Sequence, residues 1–320
     1  MLNLALEDLA SSHPAPRTFC EDIDCCGGDQ SSAIETASSE SVKNQNMNQE
    51  LVSDPIFTFA FQPIVNADTR EVVSYEALIR GALNEGASEI LSKVPADRLY
   101  LFDQVARVQA ISLAKQLGIT CNLNLNFFPL SLYASAESIL STVRAATKNH
   151  LPINHVVLEV VEGEVIGDQG RFADLFNEYR SLGVKVAIDD FGAGYSGLNL
   201  LSNFQPDQIK LDMGLLYGIE SHSPRQSIVR AILQVCRDLE IDVIAEGVET
   251  VGQYAWLVNA GVKLFQGYLF ARPAFESFPL VHYPESGASG LAAKSSLRNG
   301  CEVSTETRHQ KNGRNHGAAA

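Results

Sequence analysis

The sequence predicts a TIM-like (β/α)8 barrel whose first strand runs antiparallel to its neighbours, flanked by disordered tails. Three observations predict this fold. Short apolar runs alternate with helical patterns between about residues 54 and 283. The first two runs are separated by a link too short for a parallel crossover. Acidic or amide side chains follow several of the runs, at the strand ends where such barrels carry their chemistry.

The first two predicted strands cover residues 57–65 and 71–78. Only residues 66–70 connect them, whereas a parallel crossover needs about a dozen residues or more. The two strands must therefore run antiparallel. An amphipathic helix is predicted next, over residues 97–117, with one face formed by Leu99, Phe102, Ala106, Leu113 and Leu117.

Six further short runs are predicted to be buried strands. They cover residues 121–126, 155–160, 184–188, 208–211, 242–245 and 263–266. Helices are expected between most of them, such as those over 171–182 and 225–239. The second of these helices should contribute Ile228, Ala231, Ile232, Val235 and Leu239 to its apolar face. Eight strands with the first reversed favour a closed barrel.

Composition divides the chain into a packed centre and two polar ends. Residues 1–50 are rich in Ser, Asp, Glu, Asn and Gln, which predicts a disordered N-terminal tail. Residues 285–320 are rich in Gly, Ser, Ala and Asn, which predicts a disordered C-terminal tail. The barrel domain should therefore occupy residues 51–284. With 320 residues and 45% hydrophobic content, the chain is long enough for one such domain with a sizeable core.

The charge of the chain restricts its partners and location. The formal net charge is -14 and the pI is about 4.9, so a nucleic-acid polymer or an anionic membrane surface would repel the protein. The sequence contains no run of eighteen apolar residues and begins without the basic region of a signal peptide. We therefore expect no membrane insertion and a cytoplasmic location. Reduced core cysteines are expected at Cys121 and Cys236, whereas the polar tails contain Cys20, Cys25, Cys26 and Cys301.

Six oxygen donors follow apolar runs in the sequence. They are Glu76, Asn126, Glu159, Asp189, Asp190 and Glu246, and a further run ends at Lys210. A single acid at a strand end is more often a helix cap or a solvated loop residue. Six donors on one face of a barrel instead indicate a divalent-cation site. The adjacent pair Asp189 and Asp190 would repel each other without a cation, and the glycine-rich loop of residues 191–197 is able to close over a ligand.

Four motifs carry a resemblance to a known family. They are Glu-Ala-Leu at residues 76–78, Asp-Asp-Phe-Gly-Ala-Gly-Tyr-Ser at 189–196, Ala-Glu-Gly-Val-Glu-Thr at 245–250 and Gln-Gly-Tyr-Leu-Phe-Ala-Arg-Pro at 266–273. With these motifs in this order, the chain resembles the EAL domain, a bacterial phosphodiesterase family that hydrolyses the second messenger cyclic di-GMP. The resemblance covers about residues 57–273 and implies an eight-stranded barrel with a reversed first strand.

The resemblance implies a role for each matching side chain. Two divalent cations, Mg²⁺ or Mn²⁺, would be held by Glu76, Asn126, Glu159, Asp189, Asp190 and Glu246. The catalytic group would consist of Lys210, Glu246 and Gln266. The substrate would be contacted by Gln62, Leu78, Arg80 and Asp103. The glycine-rich loop would be supported by Glu162 and Glu249.

The implied chemistry agrees with simple electrostatics. Two divalent cations roughly 3.5–4 Å apart clamp a phosphodiester oxygen and lower the pKa of a bridging water. Attack of that water on phosphorus yields the linear dinucleotide pGpG. Lys210 would be a proton acceptor or an electrostatic support, but the residues alone equally allow an ordinary ion pair. Asp103 is equally interpreted as an exposed residue early in a helix.

Two other functions remain open on the sequence. The barrel is alternatively a receptor that binds cyclic di-GMP without significant turnover, although receptors of this kind have typically lost metal ligands and none is missing here. The N-terminal cysteines are alternatively a redox-sensing or metal-binding segment, although their spacing matches no standard zinc site. The resemblance also implies a homodimer, and the tails offer a place for a protein partner. Gly81 and Gly197 replace residues that are common in the family.

Overall fold

A hairpin begins the barrel. Strand β1 (Phe57–Asn66) pairs antiparallel with β2 (Glu71–Gly81) along its full length. The side chain of Asn66 stabilises the turn, because its Oδ1 atom accepts hydrogen bonds from the backbone N–H groups of Asp68 at 2.9 Å and Thr69 at 3.2 Å. The predicted antiparallel start of the barrel is confirmed.

The computed structural model describes residues 55–128, 137–163, 169–194 and 197–284. The predictions for the two tails, including those for Cys20, Cys25, Cys26 and Cys301, lie outside these residues. Tyr195 of the glycine-rich loop lies outside them as well. The domain limits at residues 51 and 284 stay predictions.

Six parallel strands complete the barrel. They are β3 (Asn122–Asn126), β4 (Val156–Val161), β5 (Lys185–Phe191), β6 (Gln208–Leu211), β7 (Asp242–Ala245) and β8 (Leu264–Phe265). Each strand from β2 to β8 pairs in parallel with the next, and β8 closes the ring by pairing antiparallel with β1. This confirms the eight-stranded barrel with a reversed first strand. Strand β8 is shorter than predicted, because the carbonyl of Gln266 turns to accept a hydrogen bond from Val248.

Helices lie between the strands. They are α1 (Ala87–Leu91), α2 (Leu99–Gln116), α3 (Glu137–Lys148), α4 (Gln169–Ser181), α5 (Gly197–Asn203), α6 (Met213–Leu216), α7 (Ser223–Asp238) and α8 (Val251–Ala260). Helix α8 begins with a capping box between Thr250 and Gln253 and ends at Gly261, whose φ of 98° is the left-handed conformation that glycine adopts readily. Among the described residues, none of these helices combines the length and the apolar character that crossing a bilayer requires.

Helix α7 packs with a face rotated from the predicted one, and of the predicted residues Ile232 is buried and Val235 partly buried against the core. Its buried residues are Val229, Ile232, Leu233 and Cys236. Ile228 and Ala231 are exposed, and Leu239 lies just beyond the helix and is 38% exposed. The sequence carries two apolar stripes one residue apart, and periodicity alone does not determine which of them packs.

A short strand outside the ring covers part of β1. Strand β9 (Ala274–Phe275) pairs antiparallel with Ala60 and Phe61. Beyond β9, the ring of Phe278 stacks on Tyr75 with centroids 4.1 Å apart and meets the edge of Phe61 at 5.2 Å. No periodicity in the sequence predicted this two-residue strand. It extends the packed structure past the last motif of the sequence.

Candidate active site

The barrel brings the predicted site residues to one end. Glu76 lies in β2, Asn126 in β3, Glu159 in β4, both Asp189 and Asp190 in β5, and Lys210 in β6, while Glu246 follows β7 and Gln266 follows β8. Because the strands from β2 to β8 are parallel, their carboxyl ends meet at the same mouth of the barrel. Side chains that are far apart in the sequence therefore share one site.

Lys210 lies at the centre of a carboxylate cluster. Its Nζ atom lies 3.0 Å from Asp189 Oδ1, 3.1 Å from Glu76 Oε2, 3.2 Å from Glu159 Oε1 and 3.4 Å from Glu246 Oε2. The lysine side chain is completely buried. Three carboxylates from β2, β4 and β5 and a fourth directly after β7 thus surround one ammonium group, and we call these five residues the Lys210 cluster.

The Lys210 cluster carries more negative charge than its lysine balances. Four ionised carboxylates and one ammonium sum to -4 + 1 = -3. Asp190, which faces the same cavity, would bring the sum to -4. An excess of this size inside a protein is strongly unfavourable unless bound cations or protons neutralise it. Two divalent cations would supply the four positive charges that balance it.

Burial raises the pKa of several of these carboxyl groups. Burial, followed by the charge of Glu76, raises the pKa of Glu159 well above its ordinary value. Burial likewise raises the pKa of Glu246. Burial, followed by the charge of Asp189, raises the pKa of Asp190 to about 6. A divalent cation would lower all of these pKa values, because it favours the ionised form of its ligands.

Lys210 carries its proton in this arrangement. Burial lowers its pKa, but the charges of Asp189, Glu159, Glu246 and Glu76 oppose burial and raise the pKa well above the ordinary value. The structure therefore contains the ion pairs that were one of the two interpretations of Lys210 from the sequence. Its action as a proton acceptor stays a prediction, since that role needs divalent cations nearby to lower the pKa.

Amide side chains orient the Glu76 carboxylate. Gln266 Nε2 donates hydrogen bonds to Glu76 Oε2 at 2.6 Å and to Gln62 Oε1 at 3.3 Å. Gln62 Nε2 in turn donates to the carbonyl oxygen of Ala271 at 3.2 Å. On the other side, Asn126 Nδ2 donates to Glu76 Oε1 at 3.4 Å. One oxygen of Glu76 is therefore held from the end of β8 and the other from β3.

Two buried residues that the sequence analysis left without a role also hold the cluster. Asn124 Nδ2 donates a 2.8 Å hydrogen bond to Glu159 Oε1, and Asn124 Oδ1 accepts one from the hydroxyl of Ser74. Asn and Leu alternate along β3, so every second residue faces the same side of the strand. The alternation places Asn124 and Asn126 on the same side of β3, although it does not predict the hydrogen bond to Glu159.

The donors present fit divalent cations. Glu76, Glu159 and Asp189 each place one carboxylate oxygen within 4.8 Å of the others, which suits a single ion with oxygen ligands at roughly 2.1 Å. Among the described residues, the buried atoms Glu159 Oε2 and Gln266 Oε1 accept no hydrogen bond. Buried acceptors without a donor, beside an excess of negative charge, are suited to ligate a cation.

A cavity of about 370 Å³ opens from the Lys210 cluster toward α2. Its lining includes Glu76, Asn126 and Asp190, and it continues to Leu78 and Asp103. Two of the predicted substrate contacts thus face the same space as the predicted metal ligands. Their contact with a substrate stays a prediction.

Asp103 is not the exposed helix residue that the alternative interpretation expected. Its side chain is 3% exposed and forms an ion pair with Arg107, one turn further along α2. Arg107 Nε also donates to Thr142 Oγ1 at 3.0 Å, and its guanidinium lies 4.7 Å from the centre of the Phe127 ring. Burial of Asp103 is possible because its charge is paired within the same helix.

Arg80 lies near the end of β2, and its side chain is partly buried. Its Nη1 atom donates a 2.7 Å hydrogen bond to the carbonyl of Ile79. Burial lowers the pKa of Arg80, whereas Tyr268 and Glu76 act in the opposite direction. The side chain remains a guanidinium, because the ordinary arginine pKa lies far above neutral pH. Its predicted contact with a phosphate is untested.

Glu162 contacts the glycine-rich loop. Its Oε2 atom accepts a 2.7 Å hydrogen bond from the backbone N–H of Gly192. A β-carbon at Gly194 would lie 2.8 Å from Glu162 Oε1, and one at Gly197 would lie 3.3 Å from it. The loop therefore approaches this carboxylate closely. Glu249 is exposed after β7, and its predicted role in supporting the loop stays a prediction.

A comparison with protein families decides the identity of the fold. Residues 45–273 match the family described as EAL domain. This stretch contains the whole Lys210 cluster and all strands of the closed ring. The chain belongs to the EAL domain family.

Relatives of this EAL domain include two proteins of Escherichia coli (strain K12). The blue light- and temperature-regulated antirepressor BluF is 33% identical over 228 residues, which are 71% of this chain and 57% of BluF. The probable cyclic di-GMP phosphodiesterase PdeN is 31% identical over 234 residues, which are 68% of this chain and 43% of PdeN. The chain thus spans about half the length of these curated relatives.

A solved structure is also similar to this EAL domain. It is the cyclic di-GMP-bound form of a standalone EAL protein from Vibrio cholerae O395. The two sequences are 48% identical, and the structures superpose with a TM-score of 0.69 over 72% of this chain and 97% of that chain. The barrel described above is therefore the EAL fold.

Gly81, which the sequence indicated as a departure from the family pattern, is the last residue of β2. A β-carbon at this position would lie 2.9 Å from Ile90 Cδ1 and would also meet the carboxylate of Glu85. The backbone turns here, since the N–H of Gly81 donates to the carbonyl of Glu85 at 3.0 Å. The turn and the first residues of α1 therefore occupy the space beside Gly81. This departure leaves the Lys210 cluster intact.

Proposed function

We propose that this chain is a metal-dependent phosphodiesterase that hydrolyses cyclic di-GMP to linear pGpG. The observation that carries the proposal is the Lys210 cluster, whose excess negative charge suits two divalent cations, Mg²⁺ or Mn²⁺. The name of PdeN and the ligand of the Vibrio cholerae structure support the choice of substrate.

The proposed ligands are the six oxygen donors at the barrel mouth, namely Glu76, Asn126, Glu159, Asp189, Asp190 and Glu246. Bound there, the cations supply a water of lowered pKa and stabilise charge on the phosphodiester. Gln266 positions the attacking water, because its amide is already fixed by Glu76 and Gln62. Lys210 stabilises the developing negative charge and accepts a proton once its own pKa is lowered.

The substrate is proposed to extend from the Lys210 cluster along the cavity. Arg80 holds a phosphate through its planar guanidinium, together with the backbone near Leu78. Gln62 and Asp103 contact the nucleotide, and Asp103 is held in place for this by Arg107. Glu162 and Glu249 hold the loop that closes over the site. The hydrogen bond from the backbone N–H of Gly192 to Glu162 supports the role of Glu162.

The test is a hydrolysis assay on the full chain with cyclic di-GMP, in the presence of Mg²⁺ or Mn²⁺ and in EDTA. Formation of pGpG is followed by liquid chromatography. The Glu76→Ala variant should lose activity, whereas the control variant Glu89→Ala, on the exposed side of α1, should keep it. A folded sample that forms no pGpG with either metal would refute the proposal.

A receptor for cyclic di-GMP without significant turnover is the second candidate. The name of BluF favours it, because an antirepressor acts on another protein rather than by hydrolysis alone. Calorimetry in EDTA distinguishes the two functions. Tight binding of cyclic di-GMP to the unaltered protein, with no pGpG formed on addition of Mn²⁺, would establish the receptor.

We further propose a cytoplasmic location and a homodimer. The acidic sequence, with a net charge of -14, supports the prediction that no nucleic-acid polymer is bound. Light scattering with and without cyclic di-GMP measures the number of copies in the particle. A monomer under both conditions would contradict the homodimer.

A further inference from the structure

Lys210 forms ion pairs with four carboxylates at once. Its side chain is completely buried and its Nζ atom touches carboxylates from β2, β4, β5 and the end of β7. From these contacts we propose that Lys210 is an internal counter-ion that holds the carboxylates together without metal and sets how tightly divalent cations bind. This inference rests on the proposed function only in requiring that divalent cations bind the cluster.

The lysine and a divalent cation would share ligands. The ammonium group lies 3.0–3.2 Å from oxygens of Asp189, Glu76 and Glu159. These are the same three carboxylates whose oxygens lie within 4.8 Å of one another. A cation ligated by this trio therefore lies close to the ammonium, and the two positive charges repel each other in a site that excludes water.

The backbone of Lys210 is fixed inside the barrel, and its side chain is completely buried. Lys210 lies inside β6, where its backbone pairs with Ile244 of β7 and its neighbour Ile209 pairs with Ile188 of β5. The fixed backbone and the packed methylene stem keep Nζ at the centre. The repulsion consequently persists when the site is loaded with metal.

Removing this charge should therefore act in opposite directions on two measurable properties. Lys210 is the only cation in the described ion pairs of the cluster. When it is replaced in the absence of metal, these ion pairs are lost, so the metal-free protein becomes less stable. With metal, the repulsion disappears, so divalent cations bind more tightly. A lysine whose ammonium does not influence the carboxylates or the metal would change neither property when replaced.

The experiment uses Lys210→Met, which keeps the length of the stem and removes the charge. The control is Lys263→Met, at an exposed lysine 3.9 Å from Asp68. Proteins are stripped with EDTA, their melting temperatures are recorded, and Mn²⁺ is titrated by calorimetry. Without metal, the melting temperature of Lys210→Met should be lower by roughly 5 °C or more. The affinity of this variant for Mn²⁺ should be higher by about tenfold or more. Lys263→Met should match the unaltered protein in both measurements.

Each outcome decides the inference. An unchanged metal-free melting temperature or an equal or weaker Mn²⁺ affinity in Lys210→Met overturns it. If the variant folds only with Mn²⁺, unfolding on addition of EDTA supports it, whereas failure to fold even with Mn²⁺ overturns it. No Mn²⁺ uptake by the unaltered protein would refute both this inference and the proposed function. No hydrolysis despite Mn²⁺ uptake would refute the proposed function alone.

Discussion

The side-chain amide of Gln266 donates a 2.6 Å hydrogen bond to Glu76 Oε2 and so joins the end of β8 to β2. The bond is buried and fixes the direction of a proposed metal ligand. Groups that orient a metal ligand in this way typically change metal affinity or activity by about 10–100-fold when they are removed.

Replacing Gln266 by leucine should therefore lower kcat for cyclic di-GMP by about 10–100-fold, because Glu76 loses a donor and the attacking water loses its support. Steady-state kinetics with Mn²⁺ measure the effect. Gln234→Leu is a matched control, since Gln234 is exposed on α7 and bonds only local partners such as Asp238. A Gln266→Leu enzyme with unchanged kcat would contradict this account.

The metal-free protein should be more stable at pH 5 than at pH 8. Burial raises the pKa of Asp190 to about 6 in the folded protein, above its ordinary value of 3.8, and raises those of Glu159 and Glu246 as well. A carboxyl group with a raised folded pKa favours the fold while it is protonated. That contribution is lost as the pH rises through the folded pKa, here from about 4 to about 6 and above.

Thermal unfolding in EDTA across this pH range measures the effect. Saturating Mn²⁺ should flatten or reverse the trend, because metal binding requires ionised carboxylates. Asp190→Asn should also weaken it. A metal-free protein whose melting temperature rises from pH 5 to pH 8 would show that these carboxyl groups are not protonated as described.

Removing the Glu162 carboxylate should loosen the glycine-rich loop. In Glu162→Ala the backbone N–H of Gly192 loses its acceptor, a local cost of about 1–3 kcal/mol. Hydrogen exchange at Gly192 should become faster, and kcat/KM should fall because the proposed closure of the loop would be weakened. Glu178→Ala in the exposed part of α4 serves as the control. Equal exchange at Gly192 in both variants would count against a supporting role for Glu162.

The buried ion pair between Asp103 and Arg107 should be costly to break. Arg107→Met removes the guanidinium that pairs with the buried Asp103 carboxylate and should lower the free energy of unfolding by about 3–5 kcal/mol. The exposed pair of Lys93 and Glu89 offers a comparison, where Lys93→Met should cost less than about 1 kcal/mol. Urea denaturation measures both. The double variant Asp103→Leu, Arg107→Met should recover much of the loss, and no recovery would indicate that packing dominates.

The barrel and its reversed first strand were predictable because they follow from chain geometry. A connection of residues 66–70 cannot span a parallel crossover, whatever the side chains are. The carboxylate cluster was predictable for a similar reason, since Glu159, Asp189 and Glu246 each follow an apolar run. Parallel strands then bring those positions to one end.

The face with which a helix packs, and the side-chain contacts that follow from it, were not predictable in the same way. Helix α7 offered two apolar stripes, and the packed one contains Val229 rather than Ile228. For Asp103 the sequence left an exposed position open, whereas the side chain is buried and pairs with Arg107 on the same face of α2. Asn124 supports Glu159 through a side-chain hydrogen bond, which no periodicity reports. Such contacts depend on side-chain directions, which only the folded chain fixes.

Strand β9 has a practical consequence for anyone who shortens this protein. The family match ends at Pro273, one residue before β9 begins. A chain cut there would lose the ring of Phe278 from Tyr75 and would leave backbone groups of Ala60 and Phe61 unpaired. Open strand edges of this kind attract other chains and promote aggregation. Truncated versions for crystallisation should therefore keep residues up to at least Tyr283.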